Sequence, residues 1–121
     1  MKAKAVRLHG AGDLRLDEFE LPEITDDEIL VKVISDSVCM STYKAALEGE
    51  DHKRVPDDVA QNPTIVGHEF CGVINAVGEN WKHKYKVGDG FAIQPAHFYK
   101  GSQLAPGYSY QFCGGDAQYG N

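Results

Sequence analysis

The residues best suited to chemistry are His68 and Glu69, which follow Gly67, and the upstream Cys39. A thiolate, an imidazole and a carboxylate are all ligands that proteins use for zinc. Catalytic zinc sites use three protein ligands and leave a fourth position open, whereas structural sites are closed by four. Cys39, His68 and Glu69 therefore predict a catalytic metal site. The alternatives are a buried, inert cysteine and an ordinary hydrogen-bonded histidine.

Short alternating runs and thirteen glycines indicate that strands position these residues. Residues 6–8 and 14–17 flank a glycine-containing turn and predict a hairpin. Residues 29–34 carry apolar side chains on both faces, which predicts a central strand that ends shortly before Cys39. Residues 71–78 predict a further strand. We therefore expect a mostly-β, barrel-like domain.

Residues 41–48 are good helix formers and predict a short helix, with Ser41 as its capping residue. From Gln94 onward the chain is rich in glycine and tyrosine. No segment follows the strand–Gly-x-Gly-x-x-Gly–helix pattern that would hold a dinucleotide pyrophosphate. The pair Gly114-Gly115 is more typical of a turn. We therefore predict no cofactor-binding residue for a dinucleotide in these 121 residues.

Composition excludes several classes of function. The length of 121 residues suits one domain, and the net charge of −6 argues against nucleic acid and anionic membranes as partners. The sequence has no apolar run of 18 residues, and its N-terminus does not have the pattern of a signal peptide. Three widely spaced cysteines favour a reducing compartment over a disulfide framework, so we expect a cytoplasmic protein.

Three segments together resemble the N-terminal part of the zinc-dependent medium-chain alcohol and polyol dehydrogenases. They are residues 37–41, residues 67–72 together with 77–78 and 87–89, and residues 114–119. The resemblance implies that residues 1–121 form the family's catalytic domain, a GroES-like β-barrel with short helices. It also implies a truncated chain, because the family's Rossmann domain, which binds NAD or NADP, is absent from it.

Carried over by position, the resemblance makes Cys39 and His68 zinc ligands. It makes Glu69 either a third ligand, as in the sorbitol dehydrogenase branch, or a carboxylate that supports the ligands. Ser41 corresponds to the hydroxyl that relays the substrate proton, so Ser41 and Glu69 are the candidate catalytic residues. The family usually has aspartate at the next position, where this chain has Thr42. That change puts the usual hydrogen bonding around the metal ligands in doubt.

The interval between Cys39 and His68 is a few residues longer than usual, and the sequence within it resembles a sugar-phosphate subgroup that includes L-sorbose-1-phosphate reductase. Lys53 and Arg54 lie in this interval and are candidate ligands for a substrate phosphate. Neighbouring acidic residues weaken the positive potential there, so an ordinary solvated pair is an equal alternative. The closely spaced cysteines that hold a structural zinc in many relatives are missing, so we expect no structural zinc.

The resemblance implies an enzyme that interconverts an alcohol and a carbonyl compound by hydride transfer to a nicotinamide, with Zn²⁺ as a cofactor. The full-length protein is expected to be a homo-oligomer acting on a small alcohol or ketone, and the 121 residues alone are expected to be inactive. One alternative is a non-enzymatic GroES-like binding module. Another is a zinc-free quinone reductase of the same superfamily. Both leave Cys39, His68 and Glu69 without a reason to occur together.

Overall fold

The structure is a computed structural model that describes residues 1–93 and 104–120. The glycine- and tyrosine-rich segment predicted from Gln94 onward therefore lies partly outside the described residues.

The first sheet contains the predicted hairpin. Strand β1 (Lys2–Gly10) pairs antiparallel with β2 (Asp13–Glu20), in a register that sets Leu8 opposite Leu14. The turn between them contains Gly12 at a φ of 69°, a conformation that glycine adopts without steric cost. The short strand β4 (Thr64–Ile65) pairs with the other edge of β1, giving the order β2-β1-β4.

The second sheet has four antiparallel strands in the order β6-β5-β3-β7. Strand β3 (Ile29–Asp36) lies between β5 (Phe70–Val77) and β7 (Tyr119–Gly120), and β6 (Gly90–Ala92) pairs with β5. The predicted central position of β3 is confirmed. Its predicted burial on both faces is wrong, because Ile34 is 64% exposed.

The mostly-β class is confirmed, but the described strands form two sheets and not one closed barrel. The segment 104–120 connects the sheets. Its residue Ala117 forms an isolated bridge with Ala5 of β1, and its end forms β7 beside β3. A single bridged pair does not continue the hydrogen-bonded ladder from one sheet to the other, so the sheets remain distinct.

The predicted helix is helix α1 (Met40–Glu48). Its N-cap is Cys39 and not Ser41, because Cys39 still has the extended φ and ψ of −121° and 137°. The Cys39 side chain makes no capping hydrogen bond, so its sulfur remains available for other contacts. Two 3₁₀ turns, Gly49–Asp51 and Glu79–Trp81, complete the described helical structure.

The main apolar core lies between α1, the first sheet and the segment 104–120. It includes Leu8, Ala45, Val59, Val66 and Tyr108, each at most 2% exposed. The core thus reaches Val66, two residues before His68, and fixes the backbone from which the candidate ligands project. Among the described residues, no helix has the length and apolar character needed to cross a membrane.

Candidate metal centre

Cys39, His68 and Glu69 come together in the folded chain. Cys39 lies at the start of α1, while His68 and Glu69 lie between β4 and β5. One ligand atom from each residue lies within 4.8 Å of the others. The three residues predicted from the sequence as metal ligands therefore form one cluster with a sulfur, a nitrogen and an oxygen donor.

The backbone turns sharply just before the two adjacent ligands. Gly67 has a φ of 92°, and a Cβ atom there would collide with the carboxylate of Asp36 and crowd Asp116. Glycine is therefore required at this turn. The glycine is visible in the sequence, but no local pattern shows that the carboxyl groups of Asp36 and Asp116 lie behind it.

Both oxygens of the Glu69 carboxylate have a close polar neighbour. The Ser37 hydroxyl donates a 2.5 Å hydrogen bond to Oε2, and Oε1 lies 3.4 Å from His68 Nε2. The backbone N–H of Ser37 also donates to the Glu69 carbonyl, at 3.1 Å. His68 is buried, whereas the Glu69 side chain is 43% exposed, so the cluster lies at the boundary between the core and solvent.

The other ring nitrogen of His68 contacts Tyr108. The phenol oxygen of Tyr108 lies 3.3 Å from His68 Nδ1, and the Ser41 hydroxyl is near enough to act on the pKa of the phenol. Burial raises the pKa of Tyr108 above its usual range, although the Ser41 hydrogen bond and the Arg54 charge oppose the rise. The phenol therefore stays protonated at neutral pH and can donate as well as accept.

Arg54 and His52 lie against the same tyrosine ring. The guanidinium carbon of Arg54 lies 5.9 Å from the ring centre, within the range of a cation–π contact. The His52 ring stacks on Tyr108 at 5.4 Å and 3°. Burial, assisted by nearby positive charges, lowers the pKa of His52. His52 is therefore neutral at pH 7, and its Nδ1 accepts the backbone N–H of Arg54 at 3.2 Å.

The two predicted substrate cations lie in different environments. Lys53 is exposed, whereas Arg54 is only partly exposed. The Nε atom of Arg54 is buried and has no hydrogen-bond partner among the described residues. Since the centres of the Tyr108 and His68 rings are 5.2 Å apart, Arg54 is separated from the metal cluster by one aromatic ring.

Sequence reasoning missed Tyr108 and Ser37. Tyr108 was one of several tyrosines without a motif around it, and Ser37 belonged to the segment 37–41 but had no role assigned to it. Cys71 and Cys113 lie outside the cluster. Burial raises the pKa of the Cys113 thiol to about 11, so this thiol is not reactive at neutral pH.

The fold and the site define a two-sheet β domain with a cluster of one cysteine, one histidine and one glutamate, residue types that proteins use as metal ligands. Residues 25–120 match the alcohol dehydrogenase GroES-like domain family, and the chain belongs to that family. The resemblance seen in the three sequence segments is thereby confirmed.

Two curated relatives show high identity to this chain. L-sorbose 1-phosphate reductase of Klebsiella pneumoniae is 51% identical over 113 residues, which are 93% of this chain and 28% of that protein. Mannitol-1-phosphate 5-dehydrogenase of Aliivibrio fischeri is 54% identical over 110 residues, which are 91% of this chain and 26% of that protein. The chain thus spans little more than a quarter of the length of these relatives.

A solved structure supports the same fold. The 2R,3R-butanediol dehydrogenase from Bacillus subtilis matches with a TM-score of 0.79 and 29% identity, over 98% of this chain and 37% of that one. The same fold therefore also occurs in a longer dehydrogenase.

Proposed function

We propose that this chain is the zinc-binding catalytic domain of a polyol or sugar-phosphate dehydrogenase. The full-length protein would interconvert an alcohol and a carbonyl compound by transferring a hydride to or from NAD or NADP. The observation that carries the proposal is the meeting of Cys39, His68 and Glu69 at one point, beside the hydroxyl of Ser41.

The donor set fits zinc. With metal–ligand bonds of about 2.0–2.3 Å, tetrahedral ligand atoms lie roughly 3.3–3.8 Å apart. The separation of 3.4 Å between His68 Nε2 and Glu69 Oε1 falls in this range, and the 4.8 Å limit for the whole set requires only small side-chain movements. Two atoms with lone pairs facing each other at 3.4 Å also favour a cation or a proton between them.

Each residue at this site has a separate role in the proposal. Cys39, His68 and Glu69 would hold the metal, and Ser37 fixes the orientation of Glu69 through its hydrogen bond. Zinc bound there would supply Lewis-acid polarisation of a substrate oxygen. The Ser41 hydroxyl takes up the proton of a substrate alcohol while it passes its own proton on to solvent, and the reverse reaction runs the same relay backwards.

We propose a phosphorylated polyol or ketose as the substrate. Two relatives that are more than half identical to this chain are named for sugar phosphates. Arg54 supports the same assignment, because its buried Nε lacks a partner and arginine binds phosphate with two parallel hydrogen bonds. Lys53 is the weaker candidate because it is exposed and strongly hydrated.

The nicotinamide site belongs, in this proposal, to a Rossmann domain outside residues 1–121. We further propose a homo-oligomer in the cytoplasm. The cytoplasmic assignment is supported by Cys39, Cys71 and Cys113, all of which are free thiols, as expected in a reducing compartment.

Metal analysis of the full-length protein tests the zinc site. A variant with Cys39→Ser and His68→Ala is expected to lose the zinc bound at this site, because only one of the three ligands remains. Cys71→Ser is the matched control, since Cys71 is an exposed thiol outside the cluster. A double variant that retains the full zinc content of the wild type would refute the site.

Steady-state kinetics on paired phosphorylated and free sugars test the substrate. Arg54→Ala should lower kcat/KM for the phosphorylated sugar by roughly 10- to 100-fold, the usual loss for a hydrogen bond to a charged group. The free sugar should be much less affected, and Lys53→Ala should have the smaller effect of the two variants. An equal loss for both sugars would show that Arg54 does not bind phosphate.

A further inference from the structure

Tyr108 combines deep burial with a polar group at the edge of the metal cluster. The residue is 2% exposed, and its phenol oxygen lies 3.3 Å from His68 Nδ1. A buried hydroxyl costs free energy unless it is hydrogen-bonded. Phenylalanine would fill the same space without that cost, so the hydroxyl requires an explanation beyond core packing.

The two nitrogens of His68 face different neighbours. Nε2 is directed at Glu69 Oε1, and Nδ1 is directed at Tyr108. A histidine nitrogen must be unprotonated to bind a metal, so a ligand at Nε2 carries its proton on Nδ1. That proton then points at the phenol oxygen of Tyr108.

We infer that Tyr108 is a positioning residue that accepts the Nδ1–H bond of His68 and holds Nε2 toward Cys39 and Glu69. The inference rests on the zinc site proposed above and adds a residue that supports it. A hydrogen bond of this kind fixes both the tautomer and the ring orientation of a metal-binding histidine.

Tyr108 compensates for the change at position 42. The family usually has aspartate there, and Thr42 put the usual hydrogen bonding around the metal ligands in doubt. The Thr42 backbone N–H donates to the Cys39 carbonyl at 3.1 Å, within the first turn of the helix. The described hydrogen-bond partner of His68 Nδ1 comes instead from the segment 104–120.

The tyrosine ring is held in place independently of its hydroxyl. His52 stacks on it, and Arg54 lies against it at 5.9 Å. Tyr108→Phe keeps both contacts and removes only the hydroxyl. This variant therefore separates a positioning role from a packing role.

The test compares zinc affinity and histidine protonation in full-length wild type and Tyr108→Phe. We expect the affinity for Zn²⁺, measured by competition with a chelator, to fall roughly 10-fold, as for other residues that support metal ligands. Nitrogen NMR of the zinc-loaded wild type should show a proton on His68 Nδ1 that exchanges slowly with water. This proton should exchange much faster in the variant. Tyr110→Phe, which changes a tyrosine that is 40% exposed, should match the wild type in both measurements.

Unchanged affinity and unchanged proton exchange in Tyr108→Phe would overturn the inference while leaving the zinc site intact. If the variant does not fold, the wild type alone decides, because zinc-loaded His68 with its proton on Nε2 is incompatible with the proposed contact. A wild type that binds no zinc would instead refute the proposed function.

Discussion

Replacing Asp116 by asparagine should remove a pH-dependent loss of stability. Asp36 and Asp116 lie together behind Gly67, and both oxygens of Asp36 are buried without a hydrogen-bond partner among the described residues. While both groups are ionised they cannot hydrogen-bond to each other, so Asp36 lacks a partner; a proton on Asp116 supplies one. Burial, then the hydrogen bond and the charge of Asp36, raise the pKa of Asp116 to about 7.

The sign of the effect follows from where the proton is held. The folded protein retains the proton on Asp116 up to about pH 7, whereas the unfolded chain releases it near 3.8. Stability therefore falls as the pH rises from about 4 to about 7, and stays at the lower value above that. At about 1.4 kcal/mol per pKa unit, the full effect is about 4 kcal/mol. Asp116 is partly exposed, so screening by solvent reduces our expectation to roughly 2 kcal/mol.

Asp116→Asn should abolish this dependence, because the amide donates a hydrogen bond to Asp36 at every pH. We expect the variant to equal the wild type near pH 4 and to be more stable by roughly 2 kcal/mol at pH 8. Hydrogen exchange of peptides from β1 and β3 in the chelator-treated full-length protein gives the unfolding free energy of this domain. Comparing both proteins at the same pH cancels the contributions of other titrating groups.

Asp57→Asn, which changes an exposed loop carboxylate, is the control and should follow the wild type at every pH. The reasoning would be refuted if Asp116→Asn and the wild type lost stability in parallel between pH 4 and pH 8.

Three further predictions concern the turn, the site and the extent of the domain. Gly67→Ala should lower the free energy of unfolding by about 3 kcal/mol or more, because the added Cβ meets Asp36. Gly88→Ala has a similar φ of 93° but open space around it, so it should lower the free energy of unfolding by only about 1 kcal/mol. Equal losses of the two variants in thermal unfolding would count against the collision. Ser37→Ala should weaken zinc binding roughly 10-fold in chelator competition because Glu69 loses the bond to Oε2. Thr25→Ala, which removes an exposed hydroxyl–carboxylate bond to Glu28 outside the cluster, should leave zinc binding unchanged. Residues 1–121 alone should neither oxidise alcohols nor bind NAD or NADP in calorimetry, since they contain no pyrophosphate-binding turn; saturable binding would contradict this.

The sequence predicted the features that depend on neighbouring residues. The hairpin of β1 and β2 follows from alternation around a glycine turn, and α1 follows from a run of good helix formers. Cys39, His68 and Glu69 were identifiable because few other roles require these three residue types beside a glycine framework. Their suitability as metal ligands depends on residue type, which can be read directly from the sequence.

The tertiary structure alone decided which distant side chains meet. Tyr108 and His68 are forty residues apart, and Asp36 meets Asp116 from the other end of the chain. No local pattern marks such pairs, because neither partner has an unusual neighbour in the sequence. The N-cap at Cys39 and the separation into two sheets were also missed, since both depend on the path of the segment 104–120 and of the chain entering α1. Contacts of this kind are fixed by packing between segments, and packing becomes defined only when the whole core has formed.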